Sequence, residues 1–310
     1  MKMPDTTTDL RATDSTRRGI IVMILSVTGF CINTLLLKYI SQTGRGVGPE
    51  TPMLFRAAVG MFIVLVFFRG RRPTRVAPVF SNKLLMLRGL TGLLGTAAYY
   101  WTVPKLGAGT ATLICNTYVL FASLIAVLAL GERLTLRRFM WMSAAFVGIV
   151  LLVGQRAESP DGVGFLGFYE IVALAGAILA AWSVVLVRRL TEDFSIGTIY
   201  LAQCVWILTP MAVIAGPGLV DLAAIDWGLL IAAAVAASYG QLAMNEGYRC
   251  LSVSLGASLQ MLWPVSTVIG GWLLFDERLA GLQFVGACII LASVWRLSAA
   301  KTDPQPGSGK

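Results

Sequence analysis

The chain of 310 residues contains no histidine. That removes the commonest ligand for zinc and haem iron, and every Ser-His or Cys-His nucleophile pair. Charge is scarce too. Asp, Glu, Lys and Arg make up 13% of residues, about half the share of an ordinary soluble domain. The five cysteines at 31, 115, 204, 250 and 288 show no CxxC spacing and sit in or beside apolar runs. They indicate neither a disulfide frame nor a metal site. No cluster of acidic residues stands in the apolar runs, so an intramembrane hydrolase or lipid transferase has no catalytic group to use. The expectation is a chain that is not an enzyme and calls for no cofactor.

What abounds is apolar: 56% of residues are hydrophobic and the mean hydropathy is +0.75. So much apolar surface does not fit into one aqueous core, so the chain belongs in a bilayer. Crossing the hydrocarbon takes about 20 apolar residues. Ten runs qualify: 19–40, 51–69, 83–103, 107–131, 137–154, 164–188, 195–215, 225–248, 252–275 and 280–298. Turn or charge signals separate them, at Gly44-Arg45-Gly46, Arg71-Arg72-Pro73, Pro104-Lys105, Gly131-Glu132-Arg133, Ser159-Pro160-Asp161-Gly162, Glu192-Asp193 and Gly216-Pro217-Gly218. The polar first 18 residues precede a run too long for a signal peptide, which reads as a retained first span. Residues 301–310 read as a disordered tail.

The net charge of +9 needs no nucleic acid to explain it. Loops and ends on the N-terminal side hold 18 Lys and Arg, and those on the opposite side hold 4. Lys38, Arg56 and Arg88 fall inside spans and are left out of that count. Positive charge stays on the cytoplasmic side. The asymmetry predicts a multi-pass inner (plasma) membrane protein with both termini cytoplasmic.

Two stretches echo each other. Residues 107–134 and 252–279 are apolar runs ending in Glu132-Arg133-Leu134 and Glu277-Arg278-Leu279. A shift of 145 positions also lays Tyr118 on Trp263 and Phe139 on Phe284. Repeats are the first thing to seek in a sequence. Five spans per repeat is an odd number, so the second copy enters from the other side. The fold class expected is therefore all-α integral membrane, ten transmembrane helices as two inverted five-helix repeats. The organisation reads as a cytoplasmic tail over 1–18, a first repeat over 19–154, a linker over 155–163, a second repeat over 164–298 and a tail over 299–310.

Ten spans, the paired G-E-R-L and D-E-R-L ends, and Trp263-Pro264 within span nine make the chain similar to the drug/metabolite transporter superfamily of EamA type. The resemblance covers roughly residues 19–298. The first copy departs from it, carrying Tyr118-Val119 where the second has Trp263-Pro264. The resemblance implies a carrier of small metabolites, and similar members include exporters of aromatic amino acids of the YddG type.

Polar groups inside lipid should face the bundle or a wet cavity. Helical spacing selects Asn33 in span one, Tyr99 in span three and Asn116 in span four, with Trp101 and Tyr118 beside those faces. It also selects Gln241 in span eight and Gln260 and Trp263 in span nine, and Trp182 in span six and Tyr239 in span eight stand beside such faces. These are the expected substrate-binding residues. Pro264 is an expected hinge, and Arg56 and Glu246 are candidate gating or coupling groups. Lys38, Arg56 and Arg88 lie near span ends, where long side chains can snorkel to water. Glu132-Arg133 and Glu277-Arg278 read as setters of loop and helix-end geometry. The function expected is secondary transport of small organic metabolites, amino acids foremost, in the export direction by alternating access. A channel or lipid scramblase of the same architecture, or an exporter of drugs or organic cations, is the alternative. The expected partners are the solute and the bilayer, with the chain a monomer or weak dimer.

Overall fold

The computed structural model describes residues 6–42, 47–67, 74–132, 134–153, 167–275 and 281–299. Arg133, the Glu277-Arg278 pair, the 155–163 linker, the 301–310 tail and the turn signals at 44–46, 71–73 and 159–162 lie outside the described residues. Twelve α-helices and one 3-10 segment, with no strand, account for nearly all the described residues. They are α1 (Thr6–Gln42), α2 (Glu50–Phe67), α3 (Ala77–Ser81), α4 (Lys83–Asn116), α5 (Tyr118–Leu130), α6 (Leu136–Val153), α7 (Phe168–Leu190) and α8 (Ile196–Ala215). After the 3-10 segment Gly216–Asp221 come α9 (Ala224–Cys250), α10 (Val253–Gln260), α11 (Leu262–Phe275) and α12 (Gly281–Ala299). Six segments are long and apolar enough to cross a membrane: Asp14–Ile40, Glu50–Phe67, Phe168–Leu190, Ile196–Ala215, Ala224–Cys250 and Val253–Phe275.

Three features depart from the sequence reading. α1 begins at Thr6, well before the first apolar run. α4 runs unbroken through Pro104-Lys105, where a turn was expected. Proline removes one N–H and its ring crowds the preceding turn, and within a bundle neighbouring helices and small local adjustments offset that cost. The chain breaks instead at Thr117, whose N–H and hydroxyl both donate to the Ile114 carbonyl, at 3.1 and 2.6 Å.

The ninth predicted span is broken as well, at Met261 between α10 and α11. Pro264 has no N–H to offer the carbonyl four residues earlier, that of Gln260, so the ladder stops there. Pro264 then sits in the first turn of α11, where its missing donor is harmless. Under the 145-position shift, the breaks at Thr117 and Met261 fall within one position of each other.

Packing is between helices distant in sequence. α1 lies along α9, α4 along α7, α2 along α8 and α6 along α12. α5 meets α7 and α10, while α1 meets α10 and α11. Lipid tails are as apolar as leucine, so such contacts rest on close approach rather than on expulsion of water. Glycine permits it. A Cβ on Gly29 of α1 would sit 2.8 Å from the Ala236 carbonyl oxygen and 2.9 Å from the Gly240 nitrogen of α9. The α4–α7 crossing has the same construction, with Gly95 against Gly176 and Ala180.

Gly131 ends α5 in the left-handed conformation, at φ 67°. Glycine enters that region without the clash a Cβ would bring. The turn directs Glu132 toward the start of α10. Its carboxylate accepts the Val253 N–H at 2.8 Å and the Ser254 N–H at 3.5 Å. A carboxylate at a helix N-terminus meets unpaired donors and the positive end of the dipole. The expected part for Glu132 in helix-end geometry is thus seen, but the helix end belongs to the other half of the chain.

Candidate functional site

Polar side chains of four helices gather where α2, α4, α8 and α9 meet. Arg56 of α2 donates from Nη2 to Gln241 Oε1 of α9 at 2.8 Å. Gln241 in turn donates to Asn245 Oδ1 at 3.2 Å. Arg88 of α4 donates from Nη2 to Gln203 Oε1 of α8 at 2.8 Å. Tyr200 of α8 donates to Ser238 of α9 at 3.0 Å. The two guanidiniums are near enough to feel each other's charge, and Tyr200 and Cys204 are close by. Among the described residues no carboxylate pairs with either arginine. Arg56 Nε, Arg88 Nε, Arg88 Nη1 and Asn245 Nδ2 are buried with no hydrogen-bond partner.

The two glutamines stand well inside their helices. Gln203 stands seven residues inside α8 from Ile196 and Gln241 nine residues inside α9 from Cys250. At 1.5 Å per residue those are about 10 and about 13 Å, against a half-thickness of about 15 Å for the hydrocarbon.

An aromatic flank adjoins it. Arg56 lies over the Phe30 ring, 5.7 Å from its centroid. Phe30 also meets Trp263, with ring centroids 5.8 Å apart, and the Trp263 indole N–H donates to Thr34 at 3.3 Å. Gln260, three residues before Trp263, donates to Ser26 of α1 at 3.0 Å. Asn33 is buried on the same helix.

Of the residues expected from sequence, Arg56, Gln241, Gln260 and Trp263 are therefore brought to this seam of α1, α2, α9, α10 and α11. Asn116 is buried at the end of α4, and Tyr118 opens α5 beside Tyr248. Tyr99 packs near Leu106 and Ala173, edge-on to Tyr100. Glu246 is buried at the end of α9, where it pairs with Arg18 at 2.9 Å and with Arg249. Both of its cationic partners are in place, so it is a tie between α1 and α9.

Three expected residues stand elsewhere. Trp101 is 65% exposed, Trp182 42% and Tyr239 50%. Each continues an outward apolar stripe: Leu87, Leu90 and Leu94 with Trp101; Ile171 and Ile178 with Trp182; Ile231 and Val235 with Tyr239. Their helical faces were misjudged because in a bilayer the outward face is as apolar as the inward one. Replacing any of the three with leucine is expected to leave solute flux within about twofold, as for surface substitutions in general, when measured in vesicles beside Trp263→Leu.

Sequence reasoning missed Arg88. It was placed at a span end with a snorkelling side chain, but it is 2% exposed and turned inward to Gln203. A signal was present: Arg88, Gly92 and Gly95 share one helical face, and small residues mark the face that packs.

Comparison with known proteins accords with this arrangement. The model of the EamA-like transporter family matches the chain twice, over residues 17–154 and 167–299. This chain belongs to the EamA-like transporter family. It is a multi-pass membrane transporter rather than an enzyme, as expected from the sequence. Its EamA relatives are distant. The pseudopaline exporter CntI of Pseudomonas aeruginosa is 23% identical over 93% of this chain and 98% of its own length. A probable amino-acid metabolite efflux pump of Escherichia coli is 24% identical over 90% and 94%. The riboflavin transporter of Vibrio cholerae is 23% identical over 89% and 91%. A solved crystal structure shares the EamA chain's fold with a TM-score of 0.72 at 17% identity, covering 93% of this chain and 96% of the other.

Proposed function

We propose that the chain is a secondary transporter of small organic metabolites, amino acids and their relatives foremost, working outward across the inner membrane by alternating access. The observation that carries this reading is the buried polar seam between helices of the two family matches. Charged groups inside a membrane are expensive, face the bundle interior or a water-filled cavity, and mark solute or ion pathways.

The architecture proposed is ten crossings in two inverted halves, with both termini cytoplasmic. The packing supports it. Let α1, α2, the first part of α4, the last turns of α4 with α5, and α6 correspond to α7, α8, α9, α10–α11 and α12. Exchanging the halves then turns the α1–α9 contact into α7–α4, and leaves α2–α8 and α6–α12 unchanged. The glycine crossings Gly29–Gly240 and Gly176–Gly95 exchange in the same way. A two-fold axis in the membrane plane between the halves has that consequence. The halves rock about the seam, and Pro264 with the Met261 break is the hinge. Two relatives named as an exporter and an efflux pump support the outward direction.

Purified protein in proteoliposomes, offered a panel of labelled amino acids and organic cations, tests the reading. Saturable uptake with counterflow is expected. Flux that never saturates is the mark of the channel or scramblase alternative, and no flux above protein-free vesicles defeats the transport reading.

A further inference from the structure

We propose that Arg56 and Arg88 together form the receptor for the carboxylate of the transported solute, and that the Phe30–Trp263 flank receives its apolar body. The inference rests on the transport reading and goes beyond it by naming the substrate's charge and the atoms that meet it.

Two like charges held near each other repel, and Arg88 is stripped of water. Such an arrangement is unfavourable without an anion. Each guanidinium spends one N–H on a glutamine oxygen. Three nitrogen sites, Arg56 Nε with Arg88 Nε and Nη1, keep unspent donors in buried positions. A structural arginine would use its fork on a carboxylate or on backbone carbonyls. These two instead have neutral amide acceptors that hold them in place and leave their charge unmatched. The glutamines orient the forks; they do not neutralise them.

The vacant donors suit a planar oxyanion. The guanidinium fork matches the two oxygens of a carboxylate, and such charge-assisted bonds are the strong ones. Asn245 Nδ2 is a further unpaired donor on the same network. The aromatic flank begins at Arg56 itself, with Phe30 and then Trp263 leading away along α1 and α11. A solute with its carboxylate on the arginines thus lays its side chain along two rings. Phosphate shares this chemistry and could come from a lipid headgroup or from a free ester. Arg88 is 2% exposed, which disfavours a headgroup, so a carboxylate metabolite is the proposed occupant.

The test separates binding from transport. Detergent-purified protein is heated with paired probes: phenylalanine and phenylalaninamide, phenylacetate and phenylacetamide, and inorganic phosphate and glycerophosphate. The carboxylates are expected to raise the melting temperature and the amides are not. Arg88→Gln and Arg56→Gln, made separately in case one fails to fold, are each expected to weaken the carboxylate effect by at least about tenfold. Arg88→Lys, which keeps charge without the fork, should fall between. Equal stabilisation by acid and amide, no stabilisation by either, or stabilisation by phosphates alone overturns the proposal. So does an Arg→Gln variant that keeps the full preference for the acid. Vesicle flux is scored independently. Carboxylate binding without flux defeats only the transport reading, and flux blind to the carboxylate defeats only this one.

Discussion

Glu132→Ala is expected to release the start of α10. Hydrogen–deuterium exchange of peptides covering 251–260 should speed up by more than about tenfold in the variant. The carboxylate accepts two backbone N–H groups and lies within reach of the Ser254 hydroxyl. Hydrogen bonds to a charged group contribute about 1.5–3 kcal/mol, and the helix dipole adds up to about 1 kcal/mol. About 1.4 kcal/mol corresponds to tenfold in an equilibrium. Glu132→Gln retains an acceptor but not the charge, so its exchange should lie between wild type and alanine. Glu132 lies in the first family match and α10 in the second, so the bond joins the two parts that must separate if access alternates. Exchange in 251–260 that is unchanged in Glu132→Ala would show that Ser252, which also caps α10 through Leu255, is sufficient by itself.

Gly29→Leu is expected to be the most destabilising single change along α1. Even a methyl group there meets backbone, a carbonyl oxygen at 2.8 Å and a nitrogen at 2.9 Å. Backbone cannot rotate aside as a side chain can, so α1 and α9 must part. Overpacking a tight contact costs about 1–3 kcal/mol, and leucine lies at the upper end of that range. Gly228→Ala is the contrast. It lies in α9 with nothing within 4 Å of its Cβ position, and alanine is the better helix former by about 1 kcal/mol. Thermal unfolding followed by size-exclusion chromatography should show Gly29→Leu losing its monodisperse peak well below wild type, with Gly228→Ala unchanged or improved. A Gly29→Leu protein as stable as wild type would contradict the crossing geometry.

The two arginines illustrate how far the sequence could be followed. Arg56 was legible as a charge within a span, and its gating role remained open. Arg88 looked the same on paper, five residues into its helix, where a long side chain has a choice between water and protein. Gln203, 115 positions away, decides that choice. The outward aromatics fail in the opposite sense. Trp101 and Trp263 are both indoles in apolar runs, yet one is on the periphery and the other against Phe30.

The sequence by itself determined the environment, the helical class, the repeated half and the family. Those follow from composition, from run length against bilayer thickness and from a motif recurring at fixed spacing, all of which are local or periodic properties. Only the tertiary structure decided which face of each helix turns inward, that Arg88 is buried against Gln203, and that Glu132 caps a helix of the opposite half. The reason is that a lipid-facing and a protein-facing surface have the same polarity in a membrane. The choice between them is made by which distant backbone comes close enough, through Gly29 and Gly240 at one crossing and Gly95 and Gly176 at another.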